Sequence, residues 1–331
     1  MRRFFSTLFV LALLAALGAL AAAWYWLRQP LPMRAPAVEL SIEPGTLPRG
    51  VAQAVRDAGV EVDPRLLFAW FRLSGQASKI RAGSYELERG ITPRRLLDKL
   101  ARGEESLRAV TVVEGWSFRQ MRAALARAEA LKPDTAALSE ADLMKLLGRE
   151  GVPAEGRFFP DTYTYSRGSS DLKVLQRALR AMDKRLEQAW AQRSPDSVLK
   201  TPEEALILAS IVEKETGKAA DRTMIASVFH NRLRVGMPLQ TDPTVIYGMG
   251  ERFDGNLRKV DLQTDSPYNT YMRPGLPPTP IALPGKDSLL AAVQPAAGKF
   301  LYFVAKGDGS SHFSASLDEH NRAVNKYQRG R

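Results

Sequence analysis

From Phe4 to Leu27 the chain carries no charged residue. As a helix this run of about 24 residues reaches roughly 36 Å, enough to cross a hydrocarbon core of about 30 Å with some tilt. Arg2 and Arg3 precede it, and Trp24, Tyr25 and Trp26 close it where an interfacial aromatic belt belongs. Arg28 and Arg34 lie on the far side, so the charge bias is not one-sided. Two arginines and the free amino terminus still favour a short tail kept inside the cell. The alternative is a cleaved signal peptide with Ala19-Leu20-Ala21 at the cut, but its apolar core usually spans only about 7–15 residues. Residues 1–28 are therefore read as a tail and a single-pass anchor in the cytoplasmic (inner) membrane, with the remainder in the periplasm.

The chain's 331 residues, 45% hydrophobic and 25% charged, suit two folded domains after the anchor. It has no cysteine, which excludes disulfides, thiolate metal sites and cysteine nucleophiles. The net charge of +11 calls for an anionic partner. Nucleic acid is rejected, because no recognition motif is present and an exported domain seldom meets it. Anionic phospholipid, or the carboxylates of cell-wall peptides, fit the location better.

Residues 29–37 are rich in Pro and Arg and read as a spacer. Residues 38–105 read as strand, helix, helix, strand, helix, a small α+β module. Its strands are Val38–Ile42 and Ser84–Glu88. Asp63-Pro64 and Thr92-Pro93 signal helix starts, and Gly103 signals a stop. Residues 106–331 form a larger mixed domain. It holds a strand over Ala109–Val113, helices from Ser117 and Ser139, and a long amphipathic helix over Asp171–Gln192. A helix follows over Ala219–Leu233, then a terminal strand–turn–strand–helix.

Thr201 to Gly217 is the most informative stretch. Thr201, Pro202 and Glu204 resemble a capping-box start, and Gly217 a C-terminal stop. At 100° per residue Glu215 continues an apolar stripe through Leu208, Ile211 and Val212, whereas Glu213 lies across from it near Leu206, Ala209 and Ser210. A carboxylate packed inward loses hydration, and the negative end of the helix dipole adds to that. Both raise its pKa toward that of a general acid. The competing reading is a buried ion-pair member, with Arg222 or Arg232 as partner.

Downstream, Gln240, Thr241 and Asp242 on a loop with Tyr247, and Tyr268, Asn269 and Tyr271 on a Pro-stiffened loop, offer groups that hydrogen-bond sugars. His230, His312 and His320 lack the i,i+4 pairing of a helical metal site, and His230 reads as a partly exposed helix residue. Gly248-Met-Gly250 lacks the context of a dinucleotide loop. No metal or cofactor is expected.

Together, Ala209-Ser-Ile-Val-Glu-Lys-Glu-Thr216, Ser227-Val-Phe-His-Asn-Arg-Leu233, Leu239-Gln-Thr-Asp-Pro-Thr-Val-Ile-Tyr-Gly248 and Tyr268-Asn-Thr-Tyr271 resemble the endolytic murein transglycosylases (MltG/YceG-like). Gly275-Leu-Pro-Pro278, Leu301-Tyr-Phe-Val-Ala305 and Phe159-Pro-Asp-Thr-Tyr163 extend the resemblance, which runs from the anchor to near Tyr327. It departs at His230, where an aliphatic residue is expected. The resemblance implies an α+β fold with a LysM-like subdomain and a catalytic domain whose helix carries the catalytic Glu215. It implies a lyase that cuts the MurNAc–GlcNAc bond of nascent strands, leaves 1,6-anhydro-MurNAc ends and so ends elongation beside peptidoglycan synthases.

The alternative from another class is a membrane-tethered peptidoglycan-binding scaffold without catalysis. A scaffold does not require an acid on an apolar stripe. True hydrolysis, a third reading, needs Asp242, Asp265 or Glu213 to activate water.

Overall fold

The computed structural model describes the backbone of residues 2–330 and the side chains from residue 9 to residue 330. The side chains of Arg2 and Arg3 thus lie outside the described residues. Helix α1 (Arg2–Trp26) has no residue buried over Phe9–Trp26, where mean hydropathy is 2.0. An apolar helix exposed all round is the form a bilayer-embedded segment takes.

The chain divides into two compact units. The first comprises residues 1–108 and 164–169. It contains β1 (Ala37–Ile42), α2 (Pro48–Asp57), α3 (Pro64–Leu73), β2 (Gly83–Glu88) and α4 (Pro93–Arg102). β1 and β2 pair antiparallel, Val38 opposite Leu87 and Leu40 opposite Tyr85. The period-2 pattern of β1 turns Val38, Leu40 and Ile42 onto a core with Val51, Val55, Leu67, Phe71, Leu96 and Leu97. Asp63 and Thr92 cap α3 and α4, accepting from the amides of Arg65 (2.8 Å) and Arg95 (3.2 Å). Gly103 ends α4 at φ 69°, a left-handed conformation that favours glycine.

The stretch read as a spacer is folded into this unit. Leu31 is buried and its amide donates to Ile91 O (2.8 Å), Met33 bridges Val60, and the Arg34 amide donates to Gly59 O (3.1 Å). The apolar residues between the prolines supply core contacts that Pro and Arg content conceals.

The chain leaves the first unit within β3 (Leu107–Thr111) and returns to it within β4 (Thr162–Ser166), and these two strands pair. The second unit holds α5 (Phe118–Arg127), α6 (Glu140–Leu146), α7 (Asp171–Ala191), α8 (Pro202–Glu215), α9 (Ala219–Arg234), α10 (Asp242–Met249) and α11 (Lys259–Gln263). It ends with α12 (Lys286–Val293), β5 (Tyr302–Ala305), β6 (Ser311–Ser314) and α13 (Leu317–Gln328). The fold is thus mixed α+β with small two-stranded sheets. Ser117 and Gln120 close a reciprocal capping box on α5, and Ser316 and Glu319 close another on α13.

Helix α8 is the centre of this unit. Every residue from Ala205 to Val212 is buried, and α7, α9 and α12 pack around it. Two details differ from the sequence reading. The Glu204 carboxylate accepts from the Lys200 amide (2.5 Å), not from Thr201, so the reciprocal half of the box falls one residue early. Gly217 adopts no left-handed conformation; α8 stops because Thr216 turns extended (φ −150°, ψ 135°).

His230 is also a correction. It is 1% exposed, with Nε2 2.8 Å from Ala292 O and Nδ1 accepting from the Val198 amide (3.5 Å). Both partners lie far off in the chain, which local periodicity cannot reveal. Burial holds its pKa below the ordinary value.

Candidate active site

Glu215 is the last residue of α8 and is only partly exposed. Burial pushes its carboxyl pKa up to about 7. The neighbouring Asp242 charge acts in the same direction, while the Thr241 hydrogen bond and the Arg232 charge oppose it. The Thr241 hydroxyl donates to Glu215 Oε1. Because α8 is buried around its whole circumference, facing alone does not separate Glu213 from Glu215. Their partners do. Glu213 accepts from the Gly285 amide (2.9 Å), lies 3.8 Å from the Arg222 guanidinium and has a side chain 6% exposed. It is tied into the structure, and Arg222, offered by the sequence as a partner for Glu215, belongs to Glu213 and Asp287 instead.

The segment carrying Gln240 and Thr241 is clamped from two sides. Thr270 accepts from the Gln240 amide through its carbonyl (3.0 Å) and from the Thr241 amide through its hydroxyl (3.1 Å). Its Oγ1 also lies 2.8 Å from Thr244 Oγ1, and Thr244 donates to Thr241 O (2.8 Å). From the other side, the buried Arg232 donates to Leu239 O (2.7 Å), Leu301 O (2.7 Å) and Gln240 Oε1 (3.4 Å). Gln240 sits at φ 49°, unfavourable for a side chain, and these contacts hold it there. The stretch read as a loop becomes α10 at Asp242, which puts that carboxylate in a first helical turn where the dipole favours negative charge.

Tyr271 donates from its hydroxyl to Asp242 Oδ1 (2.6 Å) and feels the charge of Glu215. Glu215, Thr241, Asp242 and Tyr271 thus form one cluster, with Gln240 exposed beside it. Three expected binding residues lie differently. Asn269 is 1% exposed; its amide group donates to Leu262 O (3.0 Å) and Thr264 O (2.7 Å), and its Oδ1 accepts from Tyr271 N (2.9 Å). It therefore organises its own loop and leaves no polar atom for a ligand. Tyr268 bonds Thr279 through its hydroxyl (2.8 Å) and packs edge-on against Tyr247, centroids 5.0 Å apart. Tyr247 in turn hydrogen-bonds Glu155.

Glu155, Thr270 and Thr244 escaped the sequence reading as site-building residues, while Arg232, offered there as an ion-pair partner of Glu215, acts on it through its charge and otherwise holds backbone carbonyls. Glu155 is 6% exposed, accepts from the Phe118 amide (3.0 Å), and burial pushes its pKa up to about 7. Its only sequence signal is a lone acid inside Pro153-Ala-Glu-Gly-Arg-Phe-Phe159.

A carboxyl that gains its proton near neutrality can deliver it to a leaving oxygen and, once ionised, take one back. A hydroxyl donor on one oxygen fixes the carboxylate's rotamer, and the partial exposure leaves it reachable. Asp265, by contrast, is held by Arg273 through two 2.8 Å bonds.

The chain is similar to proteins from several bacteria. It is 33% identical over 308 residues to the endolytic murein transglycosylase of Bacillus subtilis, covering 88% of this chain and 84% of that one. It is 28% identical to the endolytic murein transglycosylase of Streptococcus pneumoniae D39, covering 96% of this chain but only 64% of that longer one. Its structure resembles the 2.6 Å crystal structure of a yceG-like protein from Listeria monocytogenes, with a TM-score of 0.57 and 28% identity over 87% of this chain and 98% of that one. The family model described as YceG-like matches residues 40–326, spanning both units, and the chain belongs to that family.

Proposed function

We propose that this chain is an endolytic lytic transglycosylase of peptidoglycan, with Glu215 as its acid and base. The carrying observation is the Thr241-bound carboxyl at the end of buried α8, whose pKa lies near 7. Glu215 protonates the oxygen leaving C1 of N-acetylmuramic acid. The resulting carboxylate takes the proton from that sugar's 6-hydroxyl, which closes onto C1 as a 1,6-anhydro ring. No water attacks, so one carboxyl suffices where most glycosidases need two. Asp242, Tyr271 and Gln240 are the groups beside Glu215 suited to orient the sugar, and the Asp242 charge adds to the burial that keeps the acid protonated.

Family membership and the names of the relatives support peptidoglycan as substrate. Helix α1 serves as a single-pass anchor in the cytoplasmic membrane, which places cleavage where strands grow and makes it a terminator of elongation beside the synthases. The first unit is the LysM-like module. The test is digestion of purified glycan strands by full-length protein and by its Glu215→Gln variant, read as strand length. The wild type shortens strands internally and the variant leaves them intact. A variant that cuts at the wild-type rate overturns the assignment of Glu215.

A further inference from the structure

The first unit carries a wide groove of about 1440 Å³ along α2, its connection to α3 and the start of α3. Arg34, Arg49, Arg56 and Arg65 line it, against two acids, Glu61 and Asp63. All four arginines are exposed, and none has a side-chain hydrogen bond or ion pair among the described residues. Apart from Gly50 and Gln53, whose amide group donates to Asp57, the rest of the lining is apolar: Val60, Val62, Pro64, Phe68 and Leu47, the last 74% exposed. Unpaired guanidinium groups beside an exposed leucine suit a ligand with phosphate oxygens over hydrocarbon, since the guanidinium fork takes phosphate two oxygens at a time.

The tether decides the source of that phosphate. Helix α1 ends at Trp26, and Leu31 is already in the core of the unit. Five residues of fully extended chain span at most about 18 Å, and the turn at Leu27–Gln29 shortens them. The segment then continues to Arg34, one of the four, through hydrogen bonds to Gly59 and Glu61, which flank the groove. We propose that this groove docks the headgroups of anionic phospholipids in the membrane that α1 spans, with Leu47 entering the interface. This rests on the reading of α1 as an anchor. Each basic residue near an anionic surface strengthens association by roughly fivefold. Docking therefore restrains the first unit at the bilayer, where an anchor alone lets it swing.

The test compares full-length protein in phosphatidylcholine nanodiscs with the same protein in mixed phosphatidylcholine–phosphatidylglycerol discs, by hydrogen–deuterium exchange over residues 47–68. Phosphatidylglycerol slows exchange there by roughly tenfold or more. The variant Arg34→Gln/Arg49→Gln/Arg56→Gln/Arg65→Gln loses that slowing while cutting glycan strands in detergent at the wild-type rate. Equal exchange in both discs, or slowing that survives the substitutions, overturns the proposal. So does equal protection in phosphatidylcholine discs by inorganic phosphate or by a soluble muropeptide, which reassigns the groove to a free anion or to the wall. A chain washed from phosphatidylcholine vesicles by alkaline carbonate sinks the anchor and the docking geometry together. A chain that stays but shows no headgroup effect sinks the docking alone.

Discussion

The Thr241 hydroxyl donates its hydrogen bond to the Glu215 carboxylate, and the next residue, Asp242, sets a second negative charge beside the same group. The two influences oppose each other: the donor favours the ionised form of Glu215, the charge favours the protonated one. Adjacent residues on one clamped segment thus trim the pKa of a group borne by a different helix.

Removing the donor tests one half of this balance. Thr241→Val keeps shape and deletes the hydrogen bond, so the Glu215 pKa rises above about 7. The alkaline limb of kcat/KM against pH, where the acid loses its proton, moves to higher pH. A limb left at the wild-type position contradicts the pairing.

Removing the charge tests the other half. Asp242→Asn deletes the repulsion that keeps Glu215 protonated, so the alkaline limb moves to lower pH. The two variants shift the same limb in opposite senses. Shifts of the same sign show that some other group controls the profile.

The raised pKa has a consequence for stability. Below the unfolded value of 4.5 Glu215 is protonated in both states and contributes nothing. As pH rises from 4.5 to about 7 the unfolded chain ionises first, and the folded state is penalised progressively. Above about 7 the penalty is complete, at most roughly 3 kcal/mol. Glu215→Gln therefore matches the wild type in denaturant midpoint near pH 4 and exceeds it increasingly up to neutrality. A pH-independent difference contradicts this.

Arg232 holds the clamp from below. Arg232→Met leaves the carbonyls of Leu239 and Leu301 without their donor and costs roughly 1–3 kcal/mol per stranded group. It also frees Gln240 from its φ of 49°. Urea unfolding and kcat of the purified variant should both fall; a fully active, equally stable variant removes Arg232 from the site's support.

What the sequence made legible is what short-range chemistry decides. Asp63, Thr92, Ser117, Ser139 and Thr201 each cap the helix that follows, because their partners lie two or three residues on. The alternation of β1 fixed its buried face, and Glu215 was marked by its place after an apolar run. Long-range partners were not legible. His230 is buried with its Nε2–H donating to the Ala292 carbonyl 62 residues away. Thr270 supports Thr241 from 29 residues downstream, whereas its neighbour Asn269, the more conspicuous sugar-binding type, turns inward. Glu213 and Glu215 sit two residues apart on one helix, and only the tertiary contacts with Gly285 and Arg222 assign the first to structure.

The chemistry is tested most directly by digesting glycan strands with the full-length protein in water enriched in oxygen-18, and weighing the new ends by mass spectrometry. Intramolecular closure gives 1,6-anhydro-muramic ends with no heavy oxygen incorporated. Reducing ends that carry oxygen-18 would mean that water attacks C1, and the proposal that Glu215 works as the single acid and base of a lytic reaction would be wrong.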